Sequence, residues 1–130
     1  MIVADASAVV DLLTDPGPKG DWVADQFVTD VHAPHLIDAE VASALRRLVL
    51  RNFLTGRRAR EALSSFAELD IERYPMTELL GRVWALRNAI SAYDAMYIVL
   101  GEALDAPLVT TDERLARARG HHARIVGYPA

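Results

Sequence analysis

Cysteine is absent from this 130-residue chain, which excludes disulfides, thiol catalysis and cysteine-based zinc sites. The same absence suits a reducing compartment, so a cytoplasmic location is the expectation. No stretch longer than seven residues lacks Asp, Glu, Lys and Arg, and a helical membrane span is excluded. Acid comes early, at Asp5, with no basic residue before it, so no signal peptide is expected. Lysine is nearly absent as well. Lys19 is the only one, in a Gly17-Pro18-Lys19-Gly20 loop expected to lie far from any strand end.

Several reaction classes lack their residues. There is no Walker loop, no Gly-x-Ser-x-Gly elbow and no Gly-x-Gly-x-x-Gly turn. A receiver domain needs a lysine beside its acidic pocket, and the expected place of Lys19 does not supply one. A haloacid-dehalogenase-type phosphatase needs a second acid two residues after the first; Ser7 holds that position. His32, His35, His121 and His122 form no i,i+4 pair, and they are expected at the surface or in loops without a metal role.

What is present describes one globular domain over residues 1–130. Hydrophobic residues make up 52% and charged residues 25%. A domain of this size buries roughly two-thirds of its unfolded surface and needs no crosslink. The formal net charge of −4 argues against a simple polyanion binder. Two bound divalent cations would neutralise it. The charge is also uneven: six of the 14 basic residues, all arginines, fall in the acid-free stretch 46–60.

The pattern alternates strands and helices. Ile2-Val3-Ala4 reads as a buried strand and Ala6 to Leu13 as a helix, ended by Asp15-Pro16-Gly17-Pro18. A helix around Trp22 to Phe27 precedes a weak strand at Val31-His32-Ala33. Long helices are expected over Leu36 to Asn52 and Arg57 to Leu69, separated at Thr55-Gly56. Asp70 to Tyr74 alternates like an edge strand. Thr77 is expected to cap a helix running to about Asn88. A helix over Tyr93 to Leu104, a strand at Pro107 to Thr110, a helix from Asp112 to Arg119 and a last strand at Arg124-Ile125-Val126 complete the chain. Such alternation implies a mostly parallel sheet covered on both faces, with its site beyond the carboxyl ends of the strands. Asp5 and Asp112 occupy those ends.

Four acids stand out. Asp5 and Asp112 each precede a helix, so either can be an N-cap. Asp94 is the only charged residue from Asn88 through Gly101 and aligns at helical spacing with Tyr97, Ile98 and Gly101. A capping box, Ser91-Ala92-Tyr93-Asp94, is its structural alternative. Glu40 lies at the border of the stripe Ile37, Val41, Ala44, Leu45 and Leu48, where a solvated residue is the plain reading. Taken together, the four form a different pattern. Clustered carboxylates stay ionised at neutral pH only beside a cation, and oxygen donors without His or Cys select Mg²⁺ or Mn²⁺. Such ions hydrolyse phosphodiesters by lowering the pKa of an attacking water and stabilising the leaving oxygen.

Four short segments carry a resemblance. They are Ile2 to Val10, Pro34 to Val41, Ser91 to Tyr97, and Pro107 to Leu115, and their order and spacing span nearly the whole chain. The chain resembles a PIN domain, and more narrowly the VapC toxins of type II toxin–antitoxin systems. The resemblance implies an α/β fold, a three-layer α/β/α sandwich with a five-stranded parallel sheet of order 3-2-1-4-5. It implies a Mg²⁺- or Mn²⁺-dependent endoribonuclease, with Asp5, Glu40, Asp94 and Asp112 as metal ligands and catalytic acids. Ser7 and Thr110 match the family's supporting hydroxyls. It further implies a homodimer and a VapB-like antitoxin that wraps the toxin and plugs the acidic site.

The arginine run has two readings. Arg46, Arg47 and Arg51 share the Glu40 helix, and Arg47 and Arg51 project within about 20° of the Glu40 direction. They are candidates to hold RNA phosphates; a solvated surface, or pairing with antitoxin acids, is the alternative. Val49 and Leu50 lie off the main stripe and Phe53-Leu54 follow the helix; the four are candidates for a partner surface or a local cluster. Trp22 and Trp84 are expected in the core or an interface. A binding module for RNA or a partner, with the acids as caps or a structural ion site, is the competing function.

Overall fold

The computed structural model describes residues 1–129. Five short strands form one all-parallel sheet: β1 (Ile2–Ala4), β2 (Val31–Pro34), β3 (Ile71–Tyr74), β4 (Leu108–Thr110) and β5 (Ile125–Gly127). Their order is β3-β2-β1-β4-β5, as the resemblance implies. The register pairs Val3 with His32 on one side and with Leu108 on the other. The inner strands β1, β2 and β4 are buried along their whole length, so they read as apolar runs without alternation.

Helices α1 (Ala6–Thr14), α2 (Pro18–Gln26), α3 (Leu36–Leu50) and α4 (Gly56–Glu68) form one layer. On the other face α5 (Leu80–Ala85) leans on α6 (Ala92–Leu104), which packs across β1, β2 and β4. The short α7 (Glu113–Ala116) sits by β4 and β5. The result is a three-layer α/β/α sandwich. The long apolar α6 buries every residue from Ala95 to Gly101, which explains the absence of charge in that stretch. Among the described residues, no helix is long and apolar enough to cross a membrane.

The connections from β1 to β2 and from β2 to β3 step one way along the sheet, and those after β3 return to β4 and then β5. The order therefore reverses between β1 and β4, the crevice where open parallel sheets bind ligands.

Several sequence expectations need correction. The helix expected from Thr77 to Asn88 is a 3₁₀ turn over Thr77–Leu79 followed by α5, and Thr77 caps nothing with its side chain. The helix expected to reach Arg119 stops at Ala116, and α2 begins at Pro18, before Trp22. Pro18 fits the first turn because its missing N–H would be unpaired there anyway. His32 is not a surface residue. It lies on an inner strand, 4% exposed, with Nδ1 2.7 Å from the Tyr74 hydroxyl. Leu54 is buried, whereas Leu50 and Phe53 stand out in solvent. Trp22 packs partly against the core, and Trp84 is 68% exposed.

Candidate active site at the crossover crevice

Asp5 is the anchor of the crevice. It leaves β1 in extended conformation and caps α1 by accepting the Ala8 N–H at 3.0 Å. Its carboxylate is 5% exposed, so every lone pair needs a donor. Ser7 Oγ donates to both oxygens, at 2.8 and 2.9 Å, and Thr110 Oγ1 donates to Oδ2 at 2.7 Å. Each hydroxyl also accepts a backbone N–H from the turn after β4: Thr111 N–H reaches Ser7 at 3.2 Å, and Asp112 N–H reaches Thr110 at 3.0 Å. Two hydroxyls thus tie the turn that carries Asp112 to the carboxylate that ends β1. Burial pushes the Asp5 carboxyl up to about 6, against the pull of Thr110, Ala8 and Ser7.

The other three acids line the same cleft, a cavity of about 450 Å³ that also contains Ser7, Arg47, Arg51, Tyr97 and Arg114. Thr110 lies beneath it. Asp112 is the N-cap of α7, accepting N–H bonds from Arg114 at 2.9 Å and Leu115 at 3.4 Å. Asp94 enters from the first turn of α6. Only half of its capping box exists: Ser91 Oγ accepts the Asp94 N–H at 3.2 Å, while the Asp94 carboxylate turns to the cleft and meets Arg114 at 3.3 Å. Burial raises the Asp94 carboxyl, with Arg114 opposing and Asp112 reinforcing the shift. Glu40 comes from α3, and burial raises it too, with Asp94 adding to the shift.

Tyr97 closes the floor. It is 1% exposed, and its hydroxyl has no hydrogen-bond partner. Burial and the nearby Glu40 carboxylate push the phenol above its ordinary range, so it stays a neutral dipole. Its hydroxyl approaches Glu40 and favours that carboxylate's ionised form.

The structure separates the three arginines. Arg47 and Arg51 face the cleft with Glu40. Arg46 does not; it borders an apolar groove between α3 and α4, with Leu45, Val49 and Leu63. One residue step along a helix turns the side chain by about 100°, which carries Arg46 off the Arg47 direction. Lys19 is also corrected. It stands on α2 beside the end of β4, in a second cleft with Thr111 and Asp112, and its charge favours the ionised form of Asp11. The side chain that Gly20 lacks would collide with the Asp15 carbonyl, so this glycine lets α2 close onto the end of α1.

Sequence reasoning missed the roles of Arg114, Tyr97 and Asp11. Asp11 lines the cleft and accepts from Thr111 Oγ1 at 2.6 Å. Its spacing of four from Ser7 was a usable signal, because it places both on one face of α1. Arg114 pairs across two helices, which no local spacing encodes.

The comparisons with known proteins identify the family and the fold. The PIN domain pattern matches residues 2–121. The chain belongs to the PIN-domain family, in its VapC ribonuclease branch. Ribonuclease VapC9 of Mycobacterium tuberculosis is 44% identical over 116 residues, which is 89% of this chain and 89% of its own length. Ribonuclease VapC1 of the same organism is 43% identical over 120 residues, 91% of this chain and 90% of the relative. Among solved structures, VapBC2 from Rickettsia felis, bound to a DNA fragment from its promoter, superposes on the PIN domain with a TM-score of 0.71 at 13% identity, covering 99% of this chain and 100% of that one. M. tuberculosis VapC20, a toxin that cleaves the sarcin-ricin loop, gives 0.68 at 13% identity, covering 89% and 93%. At such identity these two likenesses speak for the fold.

Toward a hard cation, the donor set of the PIN domain fits by chemistry: carboxylate oxygens only, three of them with raised affinity for protons and therefore for any compensating positive charge. Among the described residues, no three acids or histidines are yet close enough together to chelate an ion. Arg114 is the positive charge on hand, near Asp94 at 3.3 Å and Asp112 at 3.8 Å.

Proposed function

We propose that this PIN domain is the toxin of a type II toxin–antitoxin pair, a Mg²⁺- or Mn²⁺-dependent endoribonuclease. The observation that carries the reading is the meeting of Asp5, Glu40, Asp94 and Asp112, from four separate chain segments, in one open cleft at the crossover crevice. The four carboxylates would hold the metal. When bound, it would lower the pKa of an attacking water and stabilise the leaving oxygen. Ser7 and Thr110 fix the Asp5 carboxylate so that it needs no reorientation. Arg47 and Arg51 would hold the phosphate backbone beside the acids.

The partner half of the proposal rests on the apolar groove of about 320 Å³ between α3 and α4. Leu45, Val49, Leu50 and Leu63 line it, and Arg46 and Arg60 flank it. An amphipathic antitoxin segment with acidic borders suits that surface. Homodimerisation draws support from Leu80 and Trp84, one turn apart on α5 and both exposed. The cytoplasm remains the compartment inferred from the absent cysteines.

The test is cleavage of a defined single-stranded RNA by purified protein with Mg²⁺, Mn²⁺ or EDTA, beside Asp5→Asn. Metal-dependent cleavage lost in the variant is the expected result. A well-folded protein that neither cleaves RNA nor binds metal would instead support the binding-module reading.

A further inference from the structure

Asp112 borders more than the acidic cleft. That residue also lines a second cleft, about 500 Å³, shared with Lys19, Thr111, Glu113, Arg117 and Tyr128. Asp112 therefore stands between the two clefts and borders both. Cations stand at both ends: Arg47 and Arg51 on the α3 side, Lys19 and Arg117 on the α2 and α7 side. Arg117 is engaged with Glu113 at 3.0 Å. Lys19 makes no ion pair within bonding distance among the described residues, and its ammonium sits 5.6 Å from the centre of the Tyr128 ring. Asp11 lies within its field, but that carboxylate already accepts the Thr111 hydroxyl.

Tyr128 is held from two directions. Its N–H donates to the Thr110 carbonyl at 3.1 Å, so its backbone is fixed to the strand end that organises Asp5 and Asp112. Trp22 meets its ring edge-on, with centroids 5.5 Å apart at 74°. An aromatic ring so fixed, carrying over it an ammonium with no carboxylate partner, and set beside the acidic cleft, has the parts of a single-strand nucleic-acid platform: a ring for stacking and a charge for phosphate.

We propose that the Lys19–Tyr128 cleft is a second RNA subsite, binding the nucleotide on the far side of the scissile phosphodiester from Arg47 and Arg51. Lys19 takes the phosphate, and a base stacks at Tyr128. The strand then crosses the acids with a positive group on either side, which offsets the repulsion between acidic cleft and polyanion. This rests on the nuclease reading above and adds where the substrate lies.

The experiment is equilibrium binding of a fluorescently labelled single-stranded RNA of mixed sequence, in EDTA so that no cleavage occurs, over a range of KCl. Wild type is compared with Lys19→Gln, Lys19→Arg, Tyr128→Leu and Arg47→Ala. Lys19→Gln is expected to weaken binding about three- to tenfold at low salt and to reduce the salt slope by about 0.7, one single-strand phosphate contact. Lys19→Arg restores both. Tyr128→Leu weakens binding about fivefold or more with the slope unchanged. Because Tyr128 also packs on Trp22, thermal unfolding is followed in parallel, and Lys19→Gln decides the question if Tyr128→Leu loses structure. If Arg47→Ala weakens binding and Lys19→Gln does not, the second subsite is wrong and the nuclease reading stands. If wild type binds no RNA at low salt, the second subsite is wrong, and the nuclease reading is decided separately by the metal-dependent cleavage test.

Discussion

Arg114 reaches from α7 to Asp94 on α6, Nη2 to Oδ2 3.3 Å, and lies 3.8 Å from Asp112. One guanidinium thus spans two carboxylates proposed to hold metal. It is 78% exposed on its side chain, so the pairing is weak and easily withdrawn.

Arg114 should therefore compete with a cation. Arg114→Gln is expected to tighten Mn²⁺ binding roughly two- to tenfold, read by titration calorimetry on the metal-free protein. Equal or weaker binding in the variant would show that the guanidinium does not occupy the ion's place.

Asp5 makes the metal-free fold pH-sensitive. Its carboxyl is raised from 3.8 to about 6, so the native state holds a proton that the unfolded chain releases earlier. Stability is fully present below about 4, falls as pH rises through the window from 3.8 to about 6, and stays lower above it. A two-unit shift corresponds to about 3 kcal/mol. Glu40, Asp94 and Asp11 are raised in the same direction and add to the slope, whereas Arg82 holds Glu102 down and opposes it. Denaturant titrations in EDTA from pH 4 to 7.5 should show a shallower decline for Asp5→Asn than for wild type. Parallel curves would mean that Asp5 ionises freely in the native state.

Asp94→Asn separates ligand from cap. The helix-capping bond uses the Asp94 N–H and the Ser91 hydroxyl, neither of which the substitution removes. Cleavage should be abolished while the melting temperature changes little. Retained cleavage by the variant would remove Asp94 from the catalytic set.

Tyr97→Phe tests the orphaned hydroxyl. A buried O–H without a partner costs free energy, so its removal should leave metal-free stability unchanged or raise it by about 1 kcal/mol. A loss of more than that in denaturant unfolding would reveal a bond to Glu40.

Much of this was legible in the chain. The strand ends at Asp5 and Asp112 were readable because short apolar runs stop close to an acid, and Asp94 because it is the only charge from Asn88 through Gly101. What escaped was set by tertiary contact. Arg46 is the exception: the step of about 100° along the helix already turns it away from Arg47, onto a different surface. Lys19 looked remote because the closeness of α2 to α1 depends on Gly20, whose importance is its missing side chain. His32 looked polar and peripheral, but its strand lies inside the sheet, where Tyr74 satisfies one ring nitrogen.

The hydrogen bond from Thr110 to Asp5 joins residues 105 positions apart. A chain leaves the ribosome amino end first. Asp5 and Ser7 therefore emerge long before the hydroxyl and the turn that complete their surroundings. Until residues near 112 have been made and β4 has inserted beside β1, the carboxylates belong to no common cleft. A translation product interrupted before Thr110 would carry Asp5, Ser7 and Glu40 and none of the assembled cleft.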